Sequence, residues 1–378
     1  MSEVPLQISD DLLLRDSGLL CALEDLVLHG RIGNIADQTC DEIGRGGFGK
    51  VYRLNDVDKK TSIAIKTSCG KEFDCTSGDD ILKPSITSRA QWRGKMLRTF
   101  TRERECMAAV SCAPKYQELV KQPHPYIVME NIDGYGMDTL LPTLRTCSLP
   151  TRTGVACCIA KAAQSIEEAG LLHTDIKPSN VMISRKTGEV KIIDFGLAKT
   201  LQELPGPGDG MIRGTLQYAA PEAFQGNVST TIDSYGLGCV FFELFSDKLF
   251  SEVLAQSDRA EPLMFEMFDP RLQQKITTVL KQHVKDLSWR ILLKGMLRAH
   301  TTRRWTMQKV VSTLQRMTGQ KELSSILDQE AFAELAMTMI RQQSRQRKFP
   351  SPVSDHRDLT DHSDDGNNNL GLVDKNGW

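Results

Sequence analysis

The chain has 378 residues, 40% of them hydrophobic and 25% charged, a soluble globular composition long enough for one large enzyme or two ordinary domains with extensions. Its 47 basic and 48 acidic side chains give a net charge of −1, which argues against the strongly basic profile of a nucleic-acid-binding domain. No apolar stretch approaches the length that spans a bilayer, and Met1 to Asp10 lack the basic start and apolar run of a signal peptide.

Residues 1–36 read as an N-terminal helical extension. Ser17 is a candidate cap for a helix that carries Leu19, Leu20, Leu23, Leu26 and Val27 on one face, and such a stripe needs a surface to cover it. From Asp41 to Lys66 the pattern changes to β-strands, with Val51–Leu54 and Ile63–Lys66 separated by the polar turn from Asn55 to Thr61. Residues 67–95 are polar and irregular, with Gly70, Gly78, Pro84 and Gly94. They read as an insertion, either a regulatory or partner-binding element or plain decoration. A helix is expected from about Phe100 to Val110 and a short buried strand at Ile127–Met129. From Gly134 the chain is mainly helical.

Toward the end, Leu323, Ile326, Leu327, Leu335, Met339 and Ile340 predict an amphipathic helix over 317–345, packed on the domain. The basic cluster Arg341, Arg345, Arg347 and Lys348 reads as a solvated helix end, and the polar tail 346–378 as disordered. The ten cysteines are scattered without a Cys-x-x-Cys pair, which argues against a zinc site. They are read as reduced thiols in a cytoplasmic protein.

Three stretches carry chemistry. The first is Gly44-Arg45-Gly46-Gly47-Phe48-Gly49-Lys50-Val51. Alone it is a weak signal, because a flexible turn or a dinucleotide loop shares the spacing. The expected strand after it, in place of a helix, favours a glycine flap whose backbone amides approach phosphates. The second is His173-Thr174-Asp175-Ile176-Lys177-Pro178-Ser179-Asn180, which concentrates an acid, a cation and an amide in one polar loop between apolar flanks. The third is the short strand Val190–Ile193 ending in Asp194-Phe195-Gly196.

Together and in this order they resemble the eukaryotic-type protein kinase family, whose catalytic loop reads H-R-D-x-x-x-x-N and whose metal motif reads D-F-G. The C-terminal half continues the resemblance with Ala220-Pro221-Glu222, Asp233-Ser234-Tyr235-Gly236-Leu237-Gly238 and Arg304, so it runs from about residue 41 to 316. It implies an α+β, two-lobed fold: a small β-rich N-lobe (about 37–133) with one main helix, and a larger helical C-lobe (about 134–316).

The resemblance implies roles for single residues. Asp175 would be the catalytic base, and Lys177 would offset charge on the transferring phosphate. Lys66 would contact the α- and β-phosphates and pair with a helix glutamate, for which Glu103 and Glu105 are both candidates and Glu103 occupies the usual place. Asn180 and Asp194 would hold Mg²⁺. ATP would lie under Gly44, Arg45, Gly46, Gly47, Phe48 and Gly49, between Val51, Ala64 and Met182, with Met129 as gatekeeper and Glu130, Asn131 and Ile132 as hinge. Ordinary core packing is equally compatible with the three apolar positions. Asp233 would hydrogen-bond the catalytic loop's amides, and Arg304 would pair with Glu222.

Lys177 and Thr215 fit the Ser/Thr pattern, so the expected partners are protein substrates. The insertion and the terminal extensions are the candidate elements for a regulatory partner. One departure stands out: Thr174 occupies the place of the arginine that docks a phosphorylated activation loop. Residues 202–210 also contain no Ser, Thr or Tyr. Activity without activation-loop phosphorylation is therefore expected. A nucleotide-binding pseudokinase scaffold is the main alternative, a small-molecule or lipid kinase the third, and delivery into a host cytosol as an effector stays open.

Overall fold

In the computed structural model, which describes residues 17–32, 38–46, 49–56, 61–68, 89–121, 125–204, 214–256, 263 and 266–348, the first element is helix α1 (Ser17–Leu28). Five antiparallel strands follow: β1 (Gln38–Gly46), β2 (Gly49–Asp56), β3 (Thr61–Thr67), β4 (Tyr116–Val120) and β5 (Tyr126–Glu130), in the order β1-β2-β3-β5-β4. Period-two alternation gives this sheet two apolar faces. Tyr52 pairs with Ile65 and Ile65 with Val128, so these residues share the outer face. There Leu19, Leu23 and Leu26 of α1 cover them, each at most 2% exposed. Each such leucine contributes roughly 1.5–3 kcal/mol by leaving water. The expected stripe thus finds its surface on the back of the sheet, and the Tyr126 hydroxyl donates to Asp25 (2.5 Å) while Arg31 donates to Glu118 (2.8 Å).

The inner face presents Val51, Ala64, Lys66 and Met129 toward helix α2 (Arg89–Ala109) and the cleft. Helix α2 is longer than the sequence suggests. It begins at Arg89, so residues 89–95, read above as part of the insertion, are helical, and Thr67 closes β3. The misreading has a local cause: a polar first half containing Gly94 carries no apolar period, and helix there is stabilised through the turns that follow. Residues 69–88 lie outside the described residues.

Beyond β5 come β6 (Gly134–Gly136), α3 (Met137–Leu144) and α4 (Leu149–Glu168). Ser148 caps α4 by accepting from the Thr151 amide. Then come β7 (Leu171–Leu172), β8 (Val181–Ser184), β9 (Val190–Ile192) and β10 (Lys199–Thr200). Strands β6-β8-β9 form one small sheet and β10-β7 another. Helix α5 (Ile232–Ser246) is buried along most of its length and centres the larger half, with α6 (Phe250–Ala255), α7 (Leu272–His283), α8 (Leu287–Met296) and α9 (Met307–Thr318) around it. The two-lobed α+β architecture matches expectation.

The end of the chain differs in detail. The predicted helix over 317–345 is divided: α9 stops at Gly319, whose φ of +72° is the left-handed conformation that ends helices. Residues 320–328 are irregular, with bends at Lys321, Glu322 and Ser325, and Ile326 bridges Glu189 at the edge of β9. Helix α10 (Gln329–Lys348) then begins behind Asp328, which accepts from the Ala331 amide (2.8 Å). It seals Ala331 and Leu335 against the domain. Glu334 accepts from the Ser148 amide and hydroxyl (both 2.7 Å), and Thr143 donates to Gln342 (2.6 Å), so α10 straps α3 to the start of α4. The side chains of Arg345, Arg347 and Lys348 and the tail from 349 lie outside the described residues.

Candidate active site

Strand β3 ends in the cleft with Lys66, and helix α2 points Glu103 at it. The Lys66 ammonium donates to both oxygens of Glu103 (2.7 and 2.8 Å) and to Asp194 Oδ1 (2.7 Å). Of the two glutamate candidates, Glu103 is 1% exposed and makes this pair, while Glu105 is exposed beside Arg104. Burial alone would lower the Lys66 pKa, but the Asp194 and Glu103 carboxylates outweigh it and raise it. Burial would likewise raise Asp194, but Lys66 reverses that and holds its carboxyl down at about 2. For Glu103 burial prevails and pushes the carboxyl up. The result is a cation shared between a sealed carboxylate and one that remains partly open to solvent.

The glycine string forms the β1–β2 hairpin, with Gly44 opposite Val51 and Gly46 opposite Gly49. Gly47 and Phe48, at its tip, lie outside the described residues. Gly49 has φ +154°, and a Cβ there would run into the Thr67 carbonyl oxygen at 2.0 Å, so only glycine brings the hairpin this close to the end of β3. Arg45 is exposed and paired with Glu42 (2.9 Å). Ala64 and Met129 are cross-strand neighbours and buried, Val51 and Met182 half-buried. Glu130 is tied to Lys115 through both its amide (2.8 Å) and its carboxylate (2.9 Å), Asn131 donates to Ser62 (2.9 Å), and Ile132 is half-buried.

The catalytic-loop stretch is suspended from α5. The Asp233 carboxylate accepts from the amides of His173 (2.6 Å) and Thr174 (2.7 Å), as expected of it. That fixes Thr174 at φ +67°, a conformation costing roughly 1–3 kcal/mol in a non-glycine residue. Its hydroxyl donates to the Leu197 carbonyl (2.8 Å), joining the loop to the segment after Asp194-Phe195-Gly196. His173 packs edge-on against Phe195 at 4.9 Å and bonds the Ile193 carbonyl (3.0 Å).

Asp175 is therefore held from several sides. Its Oδ1 accepts from the Thr215 amide (2.8 Å), and its Oδ2 lies 3.0 Å from Lys177 Nζ and 3.3 Å from Asn180 Nδ2. Lys177 also donates to the Thr215 hydroxyl (2.6 Å). Asn180 Nδ2 donates to the Asp175 carbonyl (2.9 Å), and the Asn180 carbonyl accepts from Ile193 (2.9 Å), which ties the loop to the end of β9. Below, Arg304 grips Glu222 with both terminal nitrogens (2.5 and 2.8 Å) and lies 4.9 Å over the Tyr235 ring.

Two groups escaped the sequence reading. Arg102, beside Glu103, forms an ion pair with Glu203 of the segment that follows β10. Tyr218 donates to Glu243 (2.8 Å), which Arg145 also contacts (3.3 Å). Neither has a local signature, because the partners are far apart in the chain.

A family model described as the protein kinase domain matches residues 38–314. The chain is 32% identical over 259 residues to a probable serine/threonine-protein kinase, SCO3848, of Streptomyces coelicolor, covering 66% of this chain and 37% of that protein. It is 40% identical over 207 residues to the serine/threonine-protein kinase PknA of Mycobacterium tuberculosis, covering 54% and 46%. It is 30% identical over 218 residues to the serine/threonine-protein kinase PknB of Mycobacterium leprae, covering 54% and 32%. The matched region thus spans less than half the length of each of these relatives.

Proposed function

The chain belongs to the protein kinase domain family, and on that premise we propose that it transfers the γ-phosphate of ATP to Ser or Thr hydroxyls of protein substrates. The observation that carries this reading is the Lys66 ammonium bridging Glu103 and Asp194, residues drawn from three separate segments. A pseudokinase scaffold has no need of that bridge together with Asp175 and Asn180.

The residues fit the implied reactants. Among the described residues no group of three His, Cys, Asp or Glu side chains could hold a metal by itself. Asp194 and Asn180 instead offer a hard oxygen pair that phosphate oxygens would complete, as Mg²⁺ prefers. Bound there, Mg²⁺ would neutralise charge on the phosphates. Lys66 would turn part of its charge to the α- and β-phosphates while Glu103 keeps it in place. Asp175 would accept the proton of the attacking hydroxyl, and Lys177, anchored on Thr215, would face the transferring group. The Lys177–Thr215 contact beside Asp175 and the names of the relatives support Ser/Thr over Tyr.

The reading includes activity without activation-loop phosphorylation, supported by the Thr174–Leu197 hydrogen bond, which joins loop and segment with no phosphate. A cytoplasmic location is part of it too; no helix among the described residues is long and apolar enough to cross a membrane. The insertion and the terminal extensions, which include α1 and α10, are the candidate sites for a regulatory partner.

The test is transfer from labelled ATP with Mg²⁺ to generic protein substrates. Asp175→Asn and Lys66→Met should each reduce it by at least about 10²-fold. Equal signal from the wild type and both variants would sink the assignment. Dominant phosphotyrosine in the product would overturn the Ser/Thr specificity.

A further inference from the structure

We propose that Arg102 and Glu203 are positioning residues for phosphoryl transfer: their ion pair fastens the helix that carries Glu103 to the segment after β10, in the role that a phosphorylated loop residue would otherwise fill. The inference rests on the kinase reading above and deepens its regulatory part.

Neighbouring positions on a helix point about 100° apart. On α2 this sends Glu103 inward to Lys66 and Arg102 sideways to the turn Leu201–Glu203. That turn is itself anchored. Strand β10 pairs with β7, which leads into the catalytic loop, and the Leu201 amide donates to the Gly170 carbonyl (2.9 Å). Thr200 and Glu203 form a reciprocal capping box, in which Glu203 Oε2 accepts from the Thr200 amide (3.1 Å). The other carboxylate oxygen, Oε1, meets Arg102.

A fixed negative charge is therefore presented to α2 from a turn whose strand, β10, is paired with the strand that leads into the catalytic loop. A phosphorylated loop residue acts by the same physics, supplying an anion that an arginine can grip. Here the anion is encoded as glutamate and the cation sits on α2, while Thr174 stands in the catalytic-loop arginine's place. The links run in series: catalytic loop, β7, β10, Glu203, Arg102, α2, Glu103, Lys66. Loosening the pair would leave α2 held by apolar contacts such as Phe100 and Met107, and Glu103 less often within reach of Lys66.

The Arg102 and Glu203 side chains are 37% and 40% exposed, so the effect is modest and salt-sensitive. The experiment uses the full chain, treated with phosphatase and checked by intact mass. Kinetics are compared for wild type, Arg102→Gln, Glu203→Gln, the exchange Arg102→Glu with Glu203→Arg, and the control Glu105→Gln, an exposed neighbour on the same helix. Each single variant should lower kcat/KM about two- to fivefold with an unchanged melting temperature. The exchange should recover at least half of the loss. Raising the salt from about 0.1 to about 1 M should shrink the gap between wild type and single variants.

Single variants equal to wild type, while Asp175→Asn is inactive, would overturn the clasp and leave the kinase reading standing. A loss that the exchange does not recover would also overturn it, as would wild-type activity that vanishes on dephosphorylation. No transfer by the wild type at all would remove the kinase reading and the clasp with it.

Discussion

Lys66 and Arg304 are both cations only 4% exposed, each facing a glutamate, one in the β-rich half of the molecule and one in the helical half. Arg304 is fully committed. Besides both oxygens of Glu222 it donates to the carbonyls of Arg298 (2.9 Å), Ala299 (3.4 Å) and Thr231 (3.4 Å), with Tyr235 beneath its plane. Lys66 is divided between Glu103, which is sealed, and Asp194, which is not. A guanidinium with five fixed donors suits a joint that never opens, and an ammonium that can redirect three donors suits one that must exchange partners when a ligand arrives. Equal burial thus accompanies opposite uses, and the difference lies in whether every acceptor around the cation is closed off.

The contrast can be broken experimentally. Arg304→Ala should lower unfolding free energy by about 3–5 kcal/mol, since it strands Glu222 below the catalytic loop; chemical denaturation would measure it. Lys66→Met should show the reverse profile, with transfer nearly abolished and a smaller loss of stability, because Glu103, already pushed up by burial, can neutralise itself by taking a proton. If Lys66→Met were the less stable of the two, the distinction between closed and open pairs would fail. Thr174→Val, which removes only the hydroxyl bonded to Leu197, should cost about 1 kcal/mol in the same denaturation experiment.

The smallest effect is chemical. Burial pushes the thiols of Cys157 and Cys158 on α4 up to about 12 and that of Cys106 on α2 up to about 11. Among the described cysteines, thiol titration of the native protein should modify the half-buried Cys21 first, the α4 pair much later and the fully buried Cys239 of α5 last. Early reaction of Cys157 would mean that the helical half opens more readily than the cleft side.

Much of the site is legible in the sequence because its polar groups lie in short runs. Asp175 and Asn180 are five positions apart, and Asp194 is followed at once by Phe195 and Gly196. Lys66 and Glu103 are 37 positions apart, so their meeting follows from the family pattern and not from spacing. Arg102 with Glu203 had no such guide: both are long, partly exposed side chains of the kind that usually face water. The fold's misread boundaries are also local. Gly94 and its polar neighbours hide the first turns of α2, while a single left-handed glycine, Gly319, cuts a stretch whose apolar spacing suggests one continuous helix.

The wrapping of α1 and α10 also bears on how the protein can be cut. The span matched to the family, 38–314, ends before both coverings are included. A fragment trimmed to it would bare Tyr52, Ile65 and Val128 on the sheet and, by losing Glu334, leave the start of α4 without its outside partner. Apolar faces of this kind promote aggregation when uncovered. For recombinant work the smallest sound unit therefore runs from before Ser17 to beyond Gln342, some way outside the matched family span at either end.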